Sequence, residues 1–163
     1  MTRDEALKLA FPSADRIEKR SVFLSQDQVA QIESVAKSKL ESKIYLFYVG
    51  KNKDTTLGFA VIDTHLLRTT TETIMIVINP DGTLRQAEIL AFFEPPDYMP
   101  GDSWMNLFRS KNLDDSLRLG KSVPNITGAT ITSNSMVEAI RRVMAVFDVS
   151  LKDSQKVAVE GKK

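Results

Sequence analysis

Thr73-Ile74-Met75-Ile76-Val77-Ile78, Asn79-Pro80-Asp81-Gly82 and then Thr83 through Phe93 (TLRQAEILAFF) form the stretch whose reading decides the fold. The first part alternates and is rich in β-branched residues, which suits a pleated, half-buried strand. The second is turn chemistry, because proline presets one turn dihedral and glycine accepts the positive φ that others resist. A tight turn between two apolar runs predicts an antiparallel hairpin of 73–78 with 83–93. Upstream, Lys43–Val49 (KIYLFYV) and Thr56–Asp63 read as two further strands around the polar turn Gly50-Lys51-Asn52-Lys53-Asp54. These connections are too short for parallel crossovers, so an antiparallel meander follows. A first strand fits at Arg16–Leu24.

Helical signals flank this block. Residues 3–10 (RDEALKLA) form helix up to Pro12, since the position before proline disfavours it. Ser25 with Gln28 makes a capping box that opens a helix at 26–40, with Val29, Ile32, Val35 and Leu40 as its buried stripe. Ser103 is placed to cap a short helix over Trp104–Lys111, with Leu107 and Phe108 buried. A longer helix is expected at 134–148. Its inner face holds Met136, Ile140, Val143, Met144 and Phe147; Glu138, Arg141 and Arg142 fall on the solvated side. Glu94–Gly101 (EPPDYMPG) and Asn112–Thr130 read as irregular, and 152–163 as a frayed end. The fold class is α+β: a single domain with an antiparallel sheet of four to five strands flanked by helices.

Composition excludes much chemistry. The chain has 163 residues, 42% hydrophobic and 26% charged, with 22 Lys+Arg against 21 Asp+Glu. A chain this long buries roughly 70% of its unfolded surface and needs no staple. Balanced charge gives no reason to expect nucleic acid as partner. With no cysteine there is no disulfide, thiolate nucleophile or iron–sulfur cluster, and with His65 the single histidine there is no His-rich metal site. No metal site is expected. No stretch approaches the ~20 apolar residues of a membrane helix, and no signal peptide is visible at the start.

The stretch richest in chemistry is Asn125-Ile126-Thr127-Gly128-Ala129-Thr130-Ile131-Thr132-Ser133-Asn134. Four hydroxyls fall within seven residues, directly ahead of a strong amphipathic helix. Gly128 permits a sharp turn and close approach of a ligand, and the free N–H groups of a helix start favour a phosphate. Thr132 or Ser133 is placed to cap that helix. Taken blandly, the stretch is a capped helix start and nothing more.

Thr127-Gly128-Ala129-Thr130-Ile131-Thr132-Ser133 resembles the flavinylation motif of the FMN-binding domain family. That family includes the small flavin subunits of the Rnf and sodium-pumping NADH:quinone oxidoreductase complexes. The resemblance extends to Tyr48-Val49-Gly50-Lys51 with Leu57-Gly58-Phe59-Ala60, to Ile78–Gly82 with Ala87–Leu90, and to Glu94, Trp104 and Phe108. It implies FMN as cofactor, joined through its phosphate to Thr130 by a separate flavin transferase. Thr127, Gly128, Ala129 and Thr132 would shape the phosphate seat. Where the family often has an acidic residue, three positions before the motif, this chain has Pro124, so non-covalent FMN stays open beside the phosphoester. The resemblance divides the chain into a region 1–40 packing on the core, an FMN-binding domain at 41–148 and a flexible tail at 149–163. It further implies an electron carrier with redox partner proteins, outside the cytoplasm and membrane-associated.

Other residues are candidates for the flavin. Tyr98 and Trp104 offer aromatic planes to an isoalloxazine ring, and Glu94 lies beside them. His65 and Arg68, near the end of a strand, are placed to meet the phosphate or the pyrimidine oxygens, or else form an ordinary surface turn. Two alternatives stand beside the carrier. One is a partner-binding module of the same fold without flavin; the other is a flavin-dependent reductase with its own small-molecule acceptor.

Overall fold

The computed structural model describes residues 2–67, 70–93, 99–109, 111, 113, 117 and 130–152, with Asp102, Thr130 and Ile131 described in backbone only. Arg68, Glu94, Tyr98, Thr127, Gly128, Ala129 and the tail from 153 lie outside the described residues, as does the side chain of Thr130.

Five strands form one antiparallel sheet in sequence order: β1 (Arg16–Phe23), β2 (Ile44–Asn52), β3 (Thr55–Leu66), β4 (Thr71–Ile78) and β5 (Leu84–Phe92). The meander expected from the short turns is present. Gly82 takes φ 96 in the β4–β5 turn, where Asp81 accepts hydrogen bonds from the Thr83 N–H and hydroxyl.

Among the described residues four helices accompany the sheet: α1 (Arg3–Ala10), α2 (Gln26–Ala36), α3 (Asp102–Asn106) and α4 (Thr130–Val146), the last continuing into one π turn, Phe147–Leu151. Thr2 with Glu5 and Ser25 with Gln28 close complete capping boxes on α1 and α2. α2 stops at Ala36, short of the expected 40. Lys37 adopts φ 56, and the Glu33 carboxylate takes the Leu40 N–H at 2.8 Å, so the chain turns away after the helix. α3 is also shorter than expected. Its N-cap is Gly101 with no side-chain hydrogen bond, not Ser103, and Leu107 is exposed while Phe108 is buried.

Strand alternation sends side chains into two layers. On one face, Phe47, Val49, Phe59, Val61, Ile74, Ile76 and Ile78 pack under α2 and α4. On the other, Tyr48, Ala60, Met75 and Val77 meet α1 through Ala6, Leu7, Ala10 and Phe11. Because β4 is covered on both faces, Ile74 through Ile78 are all buried. The approach of α1 is close: a Cβ on Gly50 would lie 2.5 Å from Phe11 Cγ.

One interruption positions the site. β2 stays paired with β1 back to Ile44, and β3 stays paired with β4 out to Leu66. Between β2 and β3, however, the register ends at Tyr48–Ala60. The two strands part towards the end of the sheet where β3 finishes and β4 begins.

Candidate functional site

The start of α4 carries the end of the hydroxyl-rich motif. The helix begins at Thr130, four residues before the expected 134. Thr132 and Ser133 are therefore not caps. They lie in the first turn, 4% and 0% exposed. The far end of the helix meets the β4–β5 turn, since a Cβ on Gly82 would lie 3.2 Å from Asp148 Oδ1. At 1.5 Å per residue the helix is roughly 25 Å long, so Thr130 lies towards the opposite end of the sheet.

The charge pattern of that first turn is distinctive. α1 opens with Asp4 and Glu5 and α2 with Asp27, whereas α4 opens with no acidic residue. Carboxylates usually gather at helix N-termini because they complement the dipole and the unpaired N–H groups. A helix start without carboxylates leaves its positive dipole end uncompensated by acidic side chains, and N–H donors of that kind would suit a phosphate such as that of FMN.

Arg141 departs from expectation. It is 2% exposed, not on the solvated face. Its Nε donates to the Ala36 carbonyl at 2.9 Å, Nη1 to the Leu117 carbonyl at 3.0 Å and Nη2 to the Val35 carbonyl at 3.3 Å. It satisfies orphan carbonyls at the end of α2, where the dipole favours a cation. The sequence held a signal for this. Val137 and Met144, one turn either side of Arg141, are both buried, so the inner face is broader than the stripe first drawn.

His65 sits inside β3, not in a surface turn, and is 5% exposed. Nε2 lies 2.7 Å from Glu72 Oε1 and Nδ1 lies 3.0 Å from Asp63 Oδ2. Burial alone would push the imidazole pKa down, but the two carboxylate hydrogen bonds and their charges prevail and raise it to about 9. His65 is thus an imidazolium at neutral pH, held between two carboxylates. Glu72 is fully buried, and its Oε2 has no hydrogen-bond partner among the described residues. Register makes the cluster: His65 faces Glu72 across β3–β4, and Asp63 precedes His65 by one pleat on the same side. The pairing of His65 with Glu72 becomes visible once the hairpin register is known.

A cavity of about 350 Å³ fills the parting between β2 and β3, lined in part by Arg3, Ser42, Tyr45, Asp63, His65 and Arg142. Burial pushes the Tyr45 phenol up to about 12, with Asp63 adding to the rise and Arg142 opposing it. Trp104 does not line this cavity. It is 8% exposed and packs edge-on against Phe108 at 5.0 Å. Of the described candidates, Thr132 lies in the first turn of α4, His65 borders the cavity and Trp104 joins the core beside β5. Among the described residues no group of three or more acidic, His or Cys side chains is arranged for a metal, and no helix is long and apolar enough to cross a membrane.

Comparison with known proteins adds the family. A model of the FMN-binding domain family matches residues 69–145, just under half of the chain. The matched segment runs from the β3–β4 connection through β4, β5 and the 127–130 motif into α4; the strands before it lie outside the match. Over this segment the chain is similar to the FMN-binding domain family. The fold is shared with NqrC of Shewanella oneidensis, at a TM-score of 0.64 and 15% identity over 94% of this chain and 88% of that one. No curated protein matches in sequence.

Proposed function

We propose that this chain is an electron-transfer flavoprotein module that carries FMN at the start of α4. The observation that carries the reading is the family match, which spans both the Thr127–Thr130 motif and the helix start that follows it. The acid-free first turn of α4 supports it independently. FMN supplies one- and two-electron redox chemistry when bound. The residues of the chain hold and orient it. Thr130 is the proposed attachment point for the phosphate, and first-turn N–H groups meet the charge that remains. Thr127, Gly128, Ala129 and Thr132 shape the seat; Glu94, Tyr98, Trp104, His65 and Arg68 are proposed contacts of the ring or phosphate.

A threonine hydroxyl is a weak nucleophile at neutral pH, so forming the phosphoester calls for a separate flavin transferase. The module then passes electrons between partner proteins. Its likeness in fold to NqrC supports a place in a multi-subunit redox assembly; a location outside the cytoplasm, with membrane association, is part of the same proposal. Coexpression with a flavin transferase followed by intact-mass measurement tests the reading. The wild-type protein should gain one FMN adduct and Thr130→Ala none. A protein that gains no adduct and binds no free FMN is instead the flavin-free partner-binding module. The reductase alternative draws support from the cavity between β2 and β3. Turnover of a small acceptor without any partner protein would favour it.

A further inference from the structure

Part of the sheet face beneath α1 is left uncovered. Tyr48, Ala60 and Met75 meet α1, and positions an even number of residues from them lie on the same face. Towards the end where β2 and β3 part, that face carries Phe23 opposite Ile44 and Ser21 opposite Leu46. Further across it carries Thr64 opposite Thr73 and Leu66 opposite Thr71, with Ala91 of β5 beside Thr73. Phe23 is 71% exposed and Leu66 58%. None of these side chains is charged, although 26% of the chain is. Charge returns at the margins, with Lys19 opposite Tyr48 and Glu88 opposite Met75. Exposed surface depleted of charge and rich in large apolar groups has the make-up of an interface core.

The relief of this face fits itself. Phe23, Ile44 and Leu46 raise a ridge on β1 and β2, whereas Thr64, Thr71, Thr73 and Ala91 are shorter and leave a floor on β3 to β5. The Thr64 and Thr73 hydroxyls hydrogen-bond each other at 2.8 Å, so covering the floor strips water from groups that already have a partner. A two-fold axis through the middle of the face lays the ridge of each copy on the floor of the other. The face exposes on the order of 500 Å², or about 1,000 Å² in a pair, the lower bound for a specific dimer. We propose that it is a self-association surface, occupied by a second copy of this chain packed sheet to sheet. An anionic lipid surface fits less well, because the face lacks the cations such a surface attracts. The free edge of β1 is a poor alternative route to pairing, since Arg16, Glu18, Lys19 and Arg20 crowd it.

Sedimentation equilibrium of the full chain over about 5–500 μM tests the proposal. The average mass should climb from monomer to dimer with a Kd on the order of 10–100 μM, the weak affinity that so small an interface gives. Because the face is uncharged, that Kd should move less than about threefold between about 0.05 and 0.5 M salt. Phe23→Asp on the ridge and Thr64→Arg on the floor should each weaken association by about tenfold or more. Both positions are exposed in the monomer, and each enters the interface twice. Leu9→Asp, at an exposed apolar site on α1, should leave association unchanged. A wild type that stays monomeric overturns the proposal, as does a dimer that survives both face variants or is lost in Leu9→Asp. A monomer that instead cosediments with phosphatidylcholine vesicles, and ceases to in Phe23→Asp, assigns the face to lipid and overturns the second-copy reading too. Should Phe23→Asp fail to fold, Thr64→Arg gives the decision.

Discussion

The two ends of the sheet are built differently. At the β4–β5 turn end β2 and β3 stay paired out to Asn52–Thr55, with a register shift at Gly50/Lys51, Phe11 lies against Gly50 and Gly58, and Phe59 packs on Phe147 at 4.8 Å. Arg85 there donates to Asn79 at 2.7 Å and to the Leu57 carbonyl, its charge near the Phe11 ring. At the other end β2 and β3 part, a cavity opens, and an imidazolium and two carboxylates take positions that would otherwise hold apolar side chains. Buried polar groups cost free energy unless every one is satisfied, and Glu72 Oε2 has no partner among the described residues. One end is therefore arranged for stability. The other keeps polar chemistry at the end of the sheet towards which α4 begins.

The largest effect should come from breaking the apolar end. Phe59→Ala removes a ring that is 1% exposed and packed against Phe147. It should cost about 3–5 kcal/mol, the usual range for deleting a core aromatic. Denaturant unfolding measures this. A loss below about 1 kcal/mol would mean that this end is not the stable half.

The second effect is a pH dependence located at the polar end. His65 titrates near 9 in the folded chain, against about 6.5 when unfolded. A raised folded pKa contributes stability fully below 6.5, and that contribution drains away as pH rises through about 9. The size is on the order of 1–3 kcal/mol. The groups facing the ring are Asp63 beside it and Glu72 from β4, with Tyr45 across the cavity. Glu72→Gln removes one of the charges that raise the pKa, so the midpoint should move down and the slope between pH 6.5 and 9 should flatten. NMR titration of the single histidine, beside thermal unfolding at stepped pH, reads both quantities. A His65 midpoint near 6.5 in the wild type would remove the proposed asymmetry in charge.

The same contrast governs how much was legible in sequence. The hairpin around Asn79–Gly82 and both capping boxes are local signals, and the meander follows from turn lengths alone. These elements appear where the residues place them, within a few positions. The polar end is set by register and by contacts far apart in sequence. Nothing within a few residues of Arg141 announces that Val35, Ala36 and Leu117 will surround it. Nothing near His65 reveals Glu72 until β3 and β4 are aligned. The Thr127–Thr130 motif was legible as chemistry because it is contiguous. The start of α4 moved forward to Thr130 because hydroxyls that commonly cap a helix are also tolerated inside its first turn, here buried as Thr132 and Ser133.

The smallest effect sharpens where the polar end stops. Arg142 borders the cavity, but its guanidinium is half-buried and donates to Ser38 Oγ at 2.9 Å. Hydrogen bonds of this partly solvated kind contribute about 0.5–1 kcal/mol, and Arg142 forms no part of the His65 cluster. Arg142→Ala should therefore lower the melting temperature by about 1–4 °C, the shift that such an energy produces in a chain of this size. The His65 midpoint should stay near 9, because the charges that raise it belong to Asp63 and Glu72. If that midpoint instead falls with Arg142→Ala, the cavity wall and the buried cluster form one electrostatic unit. The polar end would then extend across β2 to the α2–α4 layer.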